Sequence, residues 1–227
     1  MVEINIEVKL KVPLLLLRYI FSTMPQPLRT YKIITPRTLI RCYQAGDGAL
    51  VKQAVDDSLP ELLPFMTWAK FEPETVEAKE ERILGFRQKF LQGEDYTLGV
   101  FNRTEKEVIA STGFHTRHEG KVLEIGYWVN TKYAGQGICT EIVQALTKVG
   151  FEVEGLDKLV IRCEEGNLAS QRVAQKCGYK FIERREAHFP GEEAPRMMQI
   201  YELCKEDFAL HESISVQSYD MHSQRLS

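Results

Sequence analysis

The chain has 227 residues, of which 44% are hydrophobic and 27% charged, with a net charge of −3. At about 150 residues per domain this is one domain with extensions, or two small ones. The balance excludes wholesale disorder and collagen-like or low-complexity architectures, and no overall basic excess is present to hold a nucleic-acid backbone.

The five cysteines, Cys42, Cys139, Cys163, Cys177 and Cys204, are odd in number and contain no CxxC pair. That argues against a disulfide framework or a zinc site and points to a reducing, cytoplasmic compartment. His115 and His118 stand three apart, but no further ligand pair accompanies them. A structural or surface role is expected of both, with no metal.

In chain order, the apolar run Val12–Phe21 follows Lys9 and Lys11 and has the look of a signal peptide. Arg18 interrupts it, no A-x-A site follows, and ten residues are too few to cross a bilayer. Residues 1–35 are therefore read as an N-terminal extension, with Met24 an alternative start and no membrane partner. Thr38–Tyr43 reads as a first strand. Asp47 is the expected N-cap of a helix over Gly48–Val55. Three prolines make 58–74 irregular. A second helix runs from Thr75 to about Leu91, with Val76, Ile83, Phe86 and Phe90 on one face and Gly93 at its end. Tyr96–Asn102, Val108–Arg117 and Val122–Val129 form an antiparallel meander, turning at Arg103–Glu107 and Gly120. A glycine loop then leads into a helix marked by Ile142, Val143, Leu146, Val149 and Val153. Lys158–Cys163 is a buried-type strand. Asn167 caps a short helix through Lys176, closed by Gly178, and strands near Lys180–Glu186 and Met197–Leu203 complete one α/β domain over 36–207. Residues 208–227, rich in serine, are expected to be a mobile or loosely helical tail.

The loop Ala134-Gly135-Gln136-Gly137-Ile138, between a strand and a helix, is an anion site by construction. Two glycines let the backbone approach a ligand, and the first-turn N–H groups point outward at the positive end of the helix. Paired glycines before helices are common without any such role. No GxxxxGK[ST] string exists, and residue 140 is Thr where a dinucleotide fingerprint needs a third glycine.

Three strings stand together: Glu124-Ile125-Gly126-Tyr127-Trp128-Val129, then Gly135-Gln136-Gly137-Ile138-Cys139-Thr140-Glu141, then Asn167-x-x-Ser170-x-Arg172-Val173-Ala174-x-Lys176-x-Gly178-Tyr179. With Thr35–Arg41 (TPRTLIR) and Leu63–Trp68 (LPFMTW), they resemble the GNAT (GCN5-related N-acetyltransferase) superfamily, and within it the RimJ/RimL-like, ribosomal-protein alanine N-acetyltransferase branch. The resemblance covers about 36–207. It implies the GNAT acyl-CoA N-acyltransferase fold: a twisted mixed sheet flanked by helices on both faces, opening in a V between the fourth and fifth core strands. It implies acetyl-CoA as donor, held by Tyr127, Trp128 and Val129, by the loop Ala134, Gly135, Gln136, Gly137, Ile138, Cys139 and Thr140, and by Asn167 and Ser170. Two positions depart from the pattern. Ala134 lacks a polar side chain, and Cys139 replaces a smaller residue. A helix N-terminus favours a thiolate at Cys139, against which stands the simpler reading of a tolerated small side chain.

Acetyl transfer to an amine needs a neutral amine, a stabilised oxyanion and a protonated leaving thiol. The family fold implies a backbone N–H near Tyr127–Val129 for the oxyanion. Glu124 is the first candidate base, and His188, on the loop after a late strand, a second. The tyrosine that many GNAT enzymes place in the short helix is here Ala174, which moves the thiol's acid to Ser170, beside Asn167. Asn167 also reads as a plain N-cap and Glu124 as a structural carboxylate. Residues 56–81 hold eight carboxylates against two lysines, either an acidic rim that draws a cationic amine or a solvated helix face. The acceptor is then a ribosomal or other protein N-terminus, or a small amine, and the protein a monomer or homodimer. A non-catalytic acyl-CoA-binding module of the same fold is the alternative.

Overall fold

The computed structural model describes residues 27–208 and 214–227; the apolar run Val12–Phe21 and Met24 lie outside them. The elements in order are β1 (Lys32–Ile34), β2 (Thr38–Cys42), α1 (Gly48–Asp56), α2 (Leu59–Leu62), α3 (Val76–Gln92), β3 (Tyr96–Asn102), β4 (Val108–His115), β5 (Val122–Val129), α4 (Ile138–Glu152), β6 (Lys158–Glu164), α5 (Leu168–Lys176), β7 (Lys180–Ala187), β8 (Arg196–Cys204), α6 (Lys205–Phe208) and β9 (Gln217–Tyr219). The strands form one sheet in the order β7-β8-β6-β5-β4-β3-β2-β1-β9. Every neighbouring pair is antiparallel except β5 and β6. A parallel pair needs a crossover, and α4 supplies it.

Alternate residues of a strand face opposite sides. Leu123 and Ile125 of β5 enter a core shared with Ile142, Val143, Leu146 and Val149 of α4. Trp128 packs on the other face, in a second cluster with Tyr43, Val51, Val55, Ile83, Phe101 and Trp68. The sheet is thus covered on both sides, by α4 and α5 on one and by α1 and α3 on the other. α4 is buried nearly all round, so its polar positions carry specific partners.

Helix ends follow local chemistry. Thr75 Oγ1 accepts from the Ala78 N–H at 3.2 Å, and Gly93 closes α3 in the left-handed region with φ 73°. Asn167 Oδ1 accepts from the Ser170 N–H at 3.0 Å. Asp47 stands at the start of α1, but its side chain makes no capping bond. Its carboxylate is buried against Arg41, with Nη1 and Nη2 donating at 2.7 and 3.0 Å. A buried guanidinium without a carboxylate partner is costly, and that demand outweighs the cap.

Strand pairing extends past the expected limits of 36–207 at both ends. β1 lies within the segment read as an extension, and β9 within the segment read as a mobile tail. Lys32, Ile33 and Ile34 pair with Tyr219, Ser218 and Gln217. Val216 and Ser218 are buried, and the Ser218 hydroxyl lies 2.6 Å from that of Ser227. The mobile-tail expectation does not describe residues 214–227. β1 presents an open row of N–H and C=O groups, and β9 satisfies it.

Candidate active site

The glycine loop is built as its sequence demands. Gly135 and Gly137 have φ of 74° and 78°, values that L side chains resist. Gly137 is the N-cap of α4, and the first intrahelical bond runs from the Glu141 N–H to its carbonyl. The N–H groups of Ile138, Cys139 and Thr140 therefore have no partner within the helix. Ala134 to Gly137 are exposed, so these donors and the positive end of α4 open outward.

What stiffens the loop comes from far away in sequence. Glu141, in the first turn of α4, is buried. Its Oε1 accepts from the Thr35 hydroxyl at 2.6 Å and from the Arg37 N–H at 3.0 Å, and its Oε2 from Arg37 Nε. Arg37 Nη1 then donates to the Gln136 carbonyl at 2.8 Å, inside the loop itself. Thr35-Pro36-Arg37 is a buttress for the loop. In the sequence these residues stand only within the string that resembles the family, and spacing cannot show a contact across a hundred positions.

β5 and β6 pair at only three positions, Val122↔Lys158, Leu123↔Leu159 and Glu124↔Val160. Beyond Glu124 they part, β6 staying with β8 through Glu164 and β5 with β4 through Val129. The result is the V between the fourth and fifth strands counted from β2. Gly126 turns its carbonyl toward β4, where Thr112 Oγ1 donates to it at 2.8 Å, and the Asn130 N–H donates to Ile109 on β4 at 2.9 Å. Backbone groups alternate between edges along a strand, so the N–H groups of Tyr127 and Val129 face the edge that β6 has left.

The Tyr127 side chain crosses to α5. Its hydroxyl lies 2.9 Å from Ser170 Oγ and donates to the Ser170 carbonyl at 3.2 Å. Burial pushes the phenol well above its ordinary pKa, against the Ser170 hydrogen bond, so it stays protonated. Asn167, Ser170, Tyr127 and the glycine loop share the α4–α5 side of the sheet. Cys139 is half-buried, and burial pushes its thiol up to about 12. That is the reverse of a thiolate favoured by a helix end. Cys177 behaves alike, also pushed up to about 12 by burial and then by Cys139.

On the opposite face, Glu124 is buried and ion-paired. Arg117 Nη1 donates to Oε1, Arg162 Nη2 lies 3.6 Å from the same oxygen, and His118 Nε2 is 3.7 Å from Oε2. His188 is exposed on the β7–β8 loop. The acidic run 56–81 is largely tied down: Glu72 and Glu74 hold the buried Lys79, Glu80 accepts from the N–H groups of Gly46 and Gly48, and Asp57 pairs with Lys132. It behaves mainly as structure. The wall there is aromatic, with Trp68 and Trp128 ring centroids 6.1 Å apart. Lys70 and Arg196 each bind Glu192, tying the β7–β8 loop across to this wall.

His115, expected from the sequence to be structural or on the surface, is mostly buried. Its Nδ1 lies 2.9 Å from Asp95 Oδ1, and its ring leans over Gly126, where a Cβ would lie 2.7 Å from Nε2. Its partner, Asp95, lies twenty residues away and is brought in by the pairing of β3 with β4, which spacing alone does not show.

Residues 37–180 match the family described as "Acetyltransferase (GNAT) domain". Among curated proteins, the probable N-acetyltransferase YjcK of Bacillus subtilis (strain 168) is 27% identical over 107 residues, which is 46% of this chain but only 59% of YjcK. The uncharacterised N-acetyltransferase YnaD of the same organism is 29% identical over 157 residues, 69% of this chain and 85% of YnaD. Among solved structures, RimL, the ribosomal L7/L12 alpha-N-protein acetyltransferase in complex with coenzyme A, superposes with a TM-score of 0.67 at 19% identity, over 75% of this chain and 96% of that one. No helix among the described residues is long and apolar enough to cross a membrane. With a splayed parallel pair, an open glycine loop at the start of the crossover helix and a family match over most of the sheet, the chain belongs to the GNAT acetyltransferase family, with RimJ/RimL-like structures among its neighbours.

Proposed function

We propose that the protein transfers the acetyl group of acetyl-CoA to a primary amine by direct attack through a tetrahedral intermediate. The observation that carries this reading is the parting of β5 and β6 after Glu124 beside the glycine loop. Among the described residues it leaves N–H groups of β5 without a strand partner, beside a helix end suited to an anion and a hydroxyl pair, around one opening. The residues fit the donor. Gly135, Gln136 and Gly137 with the N–H groups of Ile138–Thr140 hold the pyrophosphate, and Asn167 faces the pantetheine arm. Acetyl-CoA, when bound, supplies an activated acyl group on a thiol leaving group.

The N–H groups of Tyr127 and Val129 are the oxyanion donors, fixed before reaction by the sheet. Ser170, backed by the protonated Tyr127, gives a proton to the departing thiolate and takes the place of the tyrosine that Ala174 lacks. The acceptor enters from the face of Trp68 and Trp128. A protein N-terminus, such as a ribosomal protein's, or a small amine satisfies the chemistry, and a cytoplasmic setting agrees with the free thiols.

Two measurements test this together. Acetyl-CoA at about a hundred times its Kd stabilises the fold by about 2.7 kcal/mol. An amine panel covering peptides with N-terminal serine or alanine, polyamines and amino acids releases free thiol in proportion to acetylated product. Stabilisation without thiol release identifies instead a non-catalytic acyl-CoA-binding module, and neither effect overturns both readings.

A further inference from the structure

A proton must leave the attacking nitrogen, and Glu124, the carboxylate at the last β5–β6 pair, is not free to take it. Glu124 is engaged by Arg117 and Arg162, with His118 beside it. His115 differs. It is the cross-strand partner of Glu124 at the end of β4, and its ring is mostly buried. Nδ1 faces both Asp95 oxygens, at 2.9 and 3.1 Å. A carboxylate on Nδ1 selects the tautomer with the proton there, which leaves the lone pair of a neutral ring on Nε2. Among the described residues Nε2 takes no hydrogen bond. It lies over Gly126, whose missing side chain makes its room. Gly126 immediately precedes Tyr127, whose N–H faces the opening.

The two faces of β5 then divide the work. Tyr127 and Ser170 lie on the α4–α5 face, while Gly126, Trp128 and the His115 ring lie on the other. From this placement we infer that His115 is the general base of the transfer and Asp95 the positioning residue that orients it. The inference rests on the proposed acetyltransferase activity. Starting from the neutral amine, the nitrogen lone pair forms the C–N bond and the C–S bond breaks with its pair going to sulfur. Nε2 takes the proton the nitrogen loses and passes it to solvent. The thiolate takes its proton from Ser170, which recovers one from solvent.

The titratable and charged groups around His115 are Asp95 before β3, Arg117 just after β4, and Glu124 on β5 with its partners His118 and Arg162. Burial raises the Asp95 carboxyl, but the His115 hydrogen bond and charge prevail and hold it below its ordinary range. The test uses the full chain, with thiol release from acetyl-CoA measured against short peptides with serine or alanine N-termini, spermidine, and water alone. His115→Asn is expected to lower kcat/KM by about a hundredfold or more, with the KM for acetyl-CoA and its thermal shift retained. The acid limb of the wild-type pH profile disappears in that variant, and added imidazole restores part of the rate to His115→Ala. Asp95→Asn moves the acid limb to lower pH. Gly126→Ala, which drives a methyl into Nε2, lowers kcat while acetyl-CoA still stabilises the fold. A His115→Asn enzyme within about threefold of wild type, or a slowed one that keeps the wild-type pH profile and whose alanine counterpart gains nothing from imidazole, overturns the inference and leaves the activity standing. Wild-type protein that releases no thiol under any of these conditions overturns the activity and the inference together.

Discussion

Ser170 and Cys139 lie within one turn of the two helix N-termini that border the opening, and they should respond oppositely to truncation. A hydroxyl that meets the departing thiolate acts in the transition state, so Ser170→Ala lowers kcat and leaves the KM for acetyl-CoA nearly unchanged. Because a thiol is a fair leaving group, the loss is nearer tenfold than the hundredfold typical of general-acid help. Steady-state kinetics under chemistry-limited conditions decide this, and an unaltered kcat moves the role to Tyr127. Cys139 has a thiol pushed up to about 12 by burial, so it stays protonated and inert. Cys139→Ala keeps both turnover and thermal stabilisation by acetyl-CoA, and loss of turnover with binding intact revives a reactive thiol. The Asn167 cap of α5 was legible in the sequence, whereas the roles proposed for Ser170 and Asn167 toward the donor come from the family resemblance. A tolerated small side chain at Cys139 was already the simpler reading of the sequence, and burial, a property of the packed molecule, supplies its physical reason.

The element with the most at stake is the α4 N-terminus with its loop. Gly137→Asp puts a carboxylate at the proposed anion site and a side chain on a backbone at φ 78°. The thermal shift produced by acetyl-CoA should vanish, and a full shift in that variant refutes the loop assignment. Glu141→Ala tests the buttress. Removing the buried carboxylate takes away the acceptor of the Thr35 hydroxyl and of the Arg37 N–H and Nε, and leaves the Arg37 that holds the Gln136 carbonyl without its anchor. Breaking such a pair costs about 3–5 kcal/mol where both groups are buried. Arg37 is half exposed, with a side chain 47% accessible, so the expected loss is nearer 1–2 kcal/mol. Chemical denaturation measures it, and weaker acetyl-CoA stabilisation should accompany it. The loop itself was readable from two glycines before a helix, whereas its buttress depends on a turn a hundred residues earlier.

Across the whole molecule, acid stability is set by pairs such as Glu74 with Arg82 and Lys79. The Arg82 hydrogen bond, followed by that of Lys79, lowers the Glu74 carboxyl to about 2. A carboxyl held below its unfolded value stabilises the fold above about pH 4.3, and the contribution is lost as pH falls through about 2. Glu74→Gln should therefore lower the melting temperature at pH 7 and matter progressively less between pH 4 and pH 2. Equal losses at all three pH values would contradict the assignment. The sheet's far edge gives another test. Deleting residues 214–227 strips β9 from β1 and uncovers the backbone edge of Lys32–Ile34. The truncated chain should melt lower and self-associate more, by calorimetry and light scattering; an unchanged melt would mean that this strand adds nothing to the fold.

The residues alone determined the local structure: the 3.6-residue period of α4, the caps of α3 and α5, the meander, and the glycine loop opening a helix. Each of these is written in neighbouring positions, the meander through the short turns between adjacent strands, where backbone geometry and hydrogen-bond reach are set by residue type. The tertiary structure decided everything that rests on distant pairs. It paired β5 with β6 for three residues only, turned Asp47 from a cap into the partner of Arg41, enlisted Thr35 and Arg37 behind the loop, and laid a polar three-residue strand, Gln217–Tyr219, on the open edge of β1. It also placed Glu124 among arginines and His115 against Asp95. A side chain's basicity and access depend on which groups the fold brings within hydrogen-bond distance, and sequence separation carries no information about that.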